Sequence, residues 1–255
     1  MHFFPSRAIA LSIGPLSVHW YGVMYALGFV CGLYLLRSLQ HYRSLHLTEK
    51  HIESLFLHVF MGVLVGGRLG FVLLYGGSEY WLHPLQIIAV WNGGMASHGG
   101  FLGVILALVL FCRKHKVDLL ALADVIVVPV ALGLAFGRVG NLINGELYGT
   151  LTTMPWGMHF PGAEGLRHPT QIYAIFKDML IFFVCLAAIR RVPRLASGYV
   201  LSLFLTMYSI LRFVVEIFRD QPLGYYFGFS VGQLYTLPIL VLGIVIFYCA
   251  RRRAL

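Results

Sequence analysis

Apolar residues run along this chain in seven long blocks, at about 15–36, 53–76, 85–111, 118–140, 171–189, 196–219 and 231–250. A helix needs about 20 mostly apolar residues to cross a bilayer, so each block predicts one spanning helix. The third block is interrupted by Trp91-Asn92-Gly93-Gly94, which predicts a dip or re-entrant piece before the helix resumes near His98. Irregular backbone at membrane depth has to be buried in protein or line a cavity. The stretch 141–170 contains Pro155, Trp156, Pro161, Gly162 and Gly165. It is too polar and too broken to span and predicts a small cap. The expected fold is an all-α polytopic membrane protein, residues 1–255 forming a single integral membrane domain with that cap at about 141–170. No second domain, inverted repeat of the transporter kind or low-complexity tail is visible.

Composition agrees with the pattern. Of 255 residues, 59% are hydrophobic and 11% charged, far too apolar for an ordinary soluble domain. A net charge of +9 could suggest nucleic acid, but a binder of that kind gathers its basic residues on one soluble face. Here they fall in short clusters between apolar blocks. Arg37, Arg43 and Lys50, then Arg113, Lys114 and Lys116, then Arg190, Arg191 and Arg194, and finally Arg251, Arg252 and Arg253 make twelve of nineteen, on alternate connections. Lys and Arg accumulate in cytoplasmic loops, so the N-terminus is expected outside and the C-terminus in the cytoplasm. Arg7, Arg167 and Arg219 fall on the opposite side. The segment before the first block shows no convincing cleavage site, so no cleaved signal peptide is expected. Cys31, Cys112, Cys185 and Cys249 lie in apolar runs or at cytoplasmic ends and are expected as small core residues without disulfides.

Four basic residues, Arg68, Arg138, Lys177 and Arg212, stand within spans. Charge at that depth is costly and marks function by default. The expected topology puts Arg68, Arg138 and Arg212 in the outer halves of their helices, with Tyr21 and His98 at similar depth. One polar cavity opening outwards follows. The densest polar stretch is Gly137-Arg138-Val139-Gly140-Asn141-Leu142-Ile143-Asn144-Gly145-Glu146-Leu147-Tyr148-Gly149. Its glycines would let the backbone leave helical geometry and approach a ligand.

A plain salt bridge between Arg138 and Glu146 is the bland alternative, but the further arginines exceed what one glutamate neutralises, and arginine suits bidentate phosphate contact. Tyr208, Arg212, Glu216 and Arg219 recur at spacings of four, four and three, on one helical face. Glu216 could orient Arg212 while Arg212 faces a ligand. His98, in Ala96-Ser97-His98-Gly99-Gly100, is a core histidine or a general base at neutral pH. No metal site is expected, because His159 and His168 lack ligand spacing. Lys177 and Asp178 are adjacent and are expected to need separate partners, and Asp124 is expected at the interface; none of the three receives a role. Trp20, Tyr80, Trp81, Trp91, Tyr225 and Tyr226 fit an aromatic belt.

The central stretch resembles the signature of the bacterial phosphatidylglycerol:prolipoprotein diacylglyceryl transferases, Gly-Arg-x-Gly-Asn-Phe-x-Asn-x-Glu-x-x-Gly, with Leu142 in place of phenylalanine. The resemblance extends to Gly66-Gly67-Arg68-Leu69-Gly70 with Tyr75, to Gly93-Gly94-Met95 leading to His98-Gly99-Gly100, to Arg167-His168-Pro169-Thr170-Gln171, and to the Arg212–Arg219 face. Ala174 departs from it, where an acidic residue is expected. The resemblance implies transfer of a diacylglyceryl group from phosphatidylglycerol to the lipobox cysteine of an exported prolipoprotein, without a soluble cofactor. It implies Arg138 and Arg212 on the phosphate and His98 as base. Tyr21, Asn141, Asn144, Glu146 and Gly149 would shape the headgroup pocket with support from Arg68, and Tyr75, Tyr208, Glu216 and Arg219 join the substrate-binding set. The rivals are an anionic-lipid transporter, which would need polar inner helix halves, and a structural assembly subunit, which leaves the arginines without a purpose.

Overall fold

A computed structural model describes residues 9–13, 16–77, 79–90, 93–191, 196–221 and 224–253. Arg7, Arg194 and the Trp91-Asn92 part of the expected turn lie outside the described residues. In chain order the elements are β1 (Ile9–Ile13), β2 (Leu16–His19), α1 (Trp20–Leu39), a short 3-10 turn (Gln40–Arg43), α2 (Glu49–Tyr75), α3 (Glu79–Leu82), α4 (Leu85–Ile88), α5 (Ser97–His115), α6 (Leu119–Asn144), α7 (Thr170–Arg191), α8 (Tyr199–Ile217), β3 (Tyr225–Tyr226), β4 (Phe229–Ser230) and α9 (Val231–Arg253). Among the described residues, α1, α2 and α5 to α9 are the seven helices long and apolar enough to cross a membrane. Their outward faces stay apolar, with residues such as Leu73, Leu102, Phe176 and Val241 exposed. That surface is costly in water and favoured in lipid.

Local chemistry sets the helix ends. Thr48 accepts from the His51 amide at 3.3 Å while His51 Nδ1 accepts from the Thr48 amide, a reciprocal cap that starts α2. Asp118 accepts from the Leu120 and Ala121 amides at 2.8 and 3.2 Å and starts α6. The third block divides as expected, into α4, an irregular stretch, and α5. Two antiparallel hairpins, β1 with β2 and β3 with β4, are additions that hydropathy did not suggest. The first of them delays α1 to Trp20. A further correction concerns the glycines of the central stretch: Gly137 and Gly140 remain helical, and the chain leaves α6 only at Gly145, with φ +73°. Apolar surroundings offer a freed carbonyl no partner, which favours continuing the helix.

By internal contacts the chain divides into two compact units, Leu45–Leu122 and the combination of Met1–Ser44 with Ala123–Leu255. In the smaller unit α2 lies directly on α5 through glycine: a Cβ on Gly70 would sit 2.7 Å from Gly99 Cα, and one on Gly66 would sit 2.8 Å from Gly103 Cα. Such backbone contact is how helices associate where no hydrophobic effect separates protein from lipid.

In the larger unit Asp124 corrects an expectation. It is fully buried and ion-paired with Arg43 at 2.9 Å. It also accepts from the Gly198 and Leu201 amides at 2.9 and 2.7 Å. The unbonded amides at the start of α8 attract an anion, and Asp124 supplies it from α6. Lys177 and Asp178, expected to seek separate partners, pair with each other inside α7. Neighbouring positions diverge by about 100° around a helix, but a lysine stem is long enough to bend back. Cys112 and Cys185 are buried, Cys31 is half-buried, and Cys249, against expectation, is exposed; none is in a disulfide.

Candidate active site

The larger unit has a pocket lined by Arg138, Leu147, Thr170, Gln171, Ala174, Arg212, Val215 and Arg219. Its volume is about 230 Å3, open mouth included.

Each guanidinium arrives from a different element. Arg138 projects from the last two turns of α6 and donates to Asn141 Oδ1 at 3.3 Å. Asn141 in turn donates to Glu146 Oε1 at 2.9 Å, and Asn144 donates to the same oxygen at 3.3 Å. The left-handed Gly145 folds the chain back so that Glu146 reaches both asparagines. Arg212, on α8, holds Glu216 Oε2 at 2.5 Å. Arg219, just beyond α8, reaches the same oxygen at 3.7 Å. The Glu216 side chain is 3% exposed, Arg212 14% and Arg219 25%. Gln221 steadies Glu216 by donating to its Oε1 at 3.1 Å.

The charges do not balance. Glu216 is shared between two arginines, and the hydrogen-bond partner of Arg138 among the described residues is a neutral amide. Burial, and after it the Arg212 charge, pulls Arg219 below its ordinary pKa, with Glu216 opposing. A cluster of cations in a partly buried pocket is relieved by an anion, and guanidinium forks match phosphate oxygens.

The connection 145–169 frames this pocket. Gly149 pairs with Arg219 across an antiparallel bridge, the Thr150 amide donates to the Phe218 carbonyl at 3.0 Å, and the Gly149 amide donates to the His168 carbonyl at 2.8 Å. A Cβ on Gly149 would collide with the Phe218 carbonyl oxygen and come within 2.8 Å of His168 and Thr170. Its place in the site is therefore to bring two backbones together. Gln171 Nε2 donates to the Glu146 carbonyl at 2.7 Å and Thr170 Oγ1 to the Leu147 carbonyl at 2.8 Å. Trp156 Nε1 donates to the Tyr173 hydroxyl at 2.7 Å, and that hydroxyl is hydrogen-bonded to His168 Nδ1 at 2.9 Å.

Of the other expected site residues, Tyr21 packs its ring on Gly140, where a Cβ would lie 2.9 Å from Tyr21 Cδ2. Tyr208 carries the Lys177 ammonium 4.3 Å from its ring centre. Arg68, Tyr75 and His98 belong to the smaller unit. There Arg68, 4% exposed, donates to the carbonyls of Gln86, Ile87 at 2.9 Å, Gly93 at 2.5 Å and Gly94 at 3.1 Å. It satisfies the broken backbone of the third block, which membrane depth requires. Tyr75 is exposed, with its ring centre 5.8 Å from that of Phe71, and His98 is exposed on the first turn of α5. Thr170, Gln171 and Ala174 were not among the expected site residues. Thr170 and Gln171 open α7, where neutral polar residues read equally well as helix caps, and Ala174 has no polar group to mark it.

Seven helices long and apolar enough to cross a bilayer define a multi-pass membrane protein, and its larger unit carries an arginine-lined pocket. The chain belongs to the prolipoprotein diacylglyceryl transferase family, whose sequence profile matches residues 8–249. It is 43% identical to the phosphatidylglycerol–prolipoprotein diacylglyceryl transferase of Geobacter sulfurreducens over 257 aligned positions, covering 99% of this chain and 98% of that one. The enzymes of the same name from Wolbachia pipientis subsp. Culex pipiens and Rickettsia bellii are each 40% identical, covering 94% of this chain and 93% and 94% of theirs.

Proposed function

We propose that this chain transfers the sn-1,2-diacylglyceryl group of phosphatidylglycerol to the lipobox cysteine thiol of prolipoproteins, the first step of bacterial lipoprotein maturation. The sulfur attacks glycerol C3, the C3–O bond breaks, glycerol 1-phosphate leaves and a thioether remains. The leaving phosphate gains negative charge as that bond breaks. Arginines aimed at it favour the transition state over the diester ground state, which is the condition for catalysis. Arg138 and Arg212 take this role. Arg219 adds to the same field, Glu216 orients Arg212, and the Asn141–Glu146–Asn144 cluster holds the headgroup side. A thiol with pKa of about 8.5 is mostly protonated at neutral pH and needs a base. His98 is proposed for that proton, and a His98→Ala enzyme with undiminished turnover would remove it.

The chain is placed in the bacterial cytoplasmic (inner) membrane, its pocket towards the extracytoplasmic side where exported substrate and outer-leaflet lipid meet. The alternation of basic clusters supports this orientation. The observation that carries the chemistry is the pocket where Arg212 and Arg219 share the Glu216 carboxylate and Arg138 bonds a neutral asparagine. Purified protein incubated with phosphatidylglycerol and a lipobox peptide should add one diacylglyceryl mass to the peptide. Unmodified peptide accompanied by lipid movement would favour a transporter instead.

A further inference from the structure

Lys177 and Asp178 take no part in this chemistry, yet they are buried side by side in α7, 6% and 1% exposed, and paired with each other. Gln171, Ala174 and Asp178 recur on α7 at spacings of three and four. Asp178 therefore continues the face that lines the pocket, one turn beyond Ala174. Lys177 rests on the ring of Tyr208, which precedes Arg212 by one turn of α8. Arg138 and Arg212 line the same pocket as Gln171 and Ala174.

A bare carboxylate in that position would be the natural partner of Arg138, whose own bond goes to a neutral asparagine. An arginine that gains a further internal carboxylate takes an external phosphate only by giving up that added pair. Burial makes that exchange costly. The lysine occupies the carboxylate instead, and Tyr208 steadies the ammonium from α8 by a cation–π contact.

We propose that Lys177 is a positioning residue for anionic-lipid binding: its ammonium neutralises Asp178 beneath the pocket and so keeps Arg138 and Arg212 available to the headgroup phosphate. The proposal rests on the reading that these two arginines grip the headgroup. It fits an anionic phospholipid and makes the pair a control on selectivity by charge, without contact with the reacting atoms.

The test measures KM for phosphatidylglycerol, presented as a mole fraction in phosphatidylcholine nanodiscs, on the full chain with a lipobox peptide. Lys177→Met unmasks the carboxylate and should raise KM on the order of tenfold. Asp178→Asn leaves the ammonium unopposed and should lower KM. The double variant should return to within about threefold of the parent, since the two changes are coupled. In each case kcat should move less than KM. Opposed KM shifts are the signature, because a pair that only holds helices together would give losses of the same sign in both single variants and overturn the proposal. Should Lys177→Met not fold, Asp178→Asn decides alone, and a KM at or above the parental value overturns the idea. Arg138→Lys and Arg212→Lys separate the two levels. If they raise KM while the pair variants do not, only this inference fails; parental KM in both sinks the headgroup reading beneath it.

Discussion

Arg68 and Arg212 are both arginines set in apolar helices, and the protein treats them in opposite ways. The smaller unit surrounds Arg68 with four backbone carbonyls, so that its fork has little left to offer. The larger unit gives Arg212 a single carboxylate, makes it share that carboxylate with Arg219, and sets both beside Arg138 in a pocket. A charge within a span is thus no sufficient mark of a binding site. What separates the two is whether the surrounding donors and acceptors close their account without a ligand. Arg68 is taken up by four main-chain carbonyls, whereas two of the pocket arginines divide a single carboxylate between them.

The comparison can be broken most directly at the pocket. Arg212→Ala and Arg138→Ala should each reduce kcat/KM by about 10²–10³, the usual cost of losing one transition-state donor, with melting temperatures near the parental value. Parental kcat/KM in both would erase the contrast. Arg68→Ala should act chiefly on stability. It strands carbonyls in an apolar setting, at roughly 1–3 kcal/mol for each one left unsatisfied, and should lower the unfolding midpoint in detergent more than either pocket variant does. Smaller effects sharpen the picture within the pocket. Asn141→Ala, which cuts the 2.9 Å link to Glu146 and the 3.3 Å contact with Arg138, should raise KM for phosphatidylglycerol about fivefold, the longer contact adding little to the loss of the shorter bond. Asn144→Ala, which cuts only a 3.3 Å contact, should raise it about twofold at most.

Much of the architecture was legible because apolar blocks of membrane-spanning length have few other uses. The break before His98 was legible for the same reason, since Gly93 and Gly94 interrupt an otherwise continuous run. The role of Arg68 was not, because its partners are main-chain carbonyls, which leave no signature in residue type. Arg138, Arg212 and Glu216 could be singled out by charge and spacing. Thr170 and Gln171 could not, as neutral polar residues at a helix start read equally well as end caps. The β3–β4 hairpin escaped because two-residue strands have no periodicity to detect, and the β1–β2 hairpin because its second strand, Leu16–His19, falls inside the first apolar block. Gly137 and Gly140 misled the reading, since glycine permits a break without requiring one. The lysine–aspartate pair was missed because angular spacing describes where side chains depart, not where a long flexible one ends.

The buried Asp124 has a consequence for biogenesis. The amides it accepts from begin 74 residues further along the chain, so they are not yet synthesised when α6 enters the bilayer. Arg43 precedes it in synthesis and can accompany it from the outset. The ion pair thus lets the translocon release α6 with its carboxylate already neutralised, and leaves a prepared socket into which the start of α8 docks when it emerges.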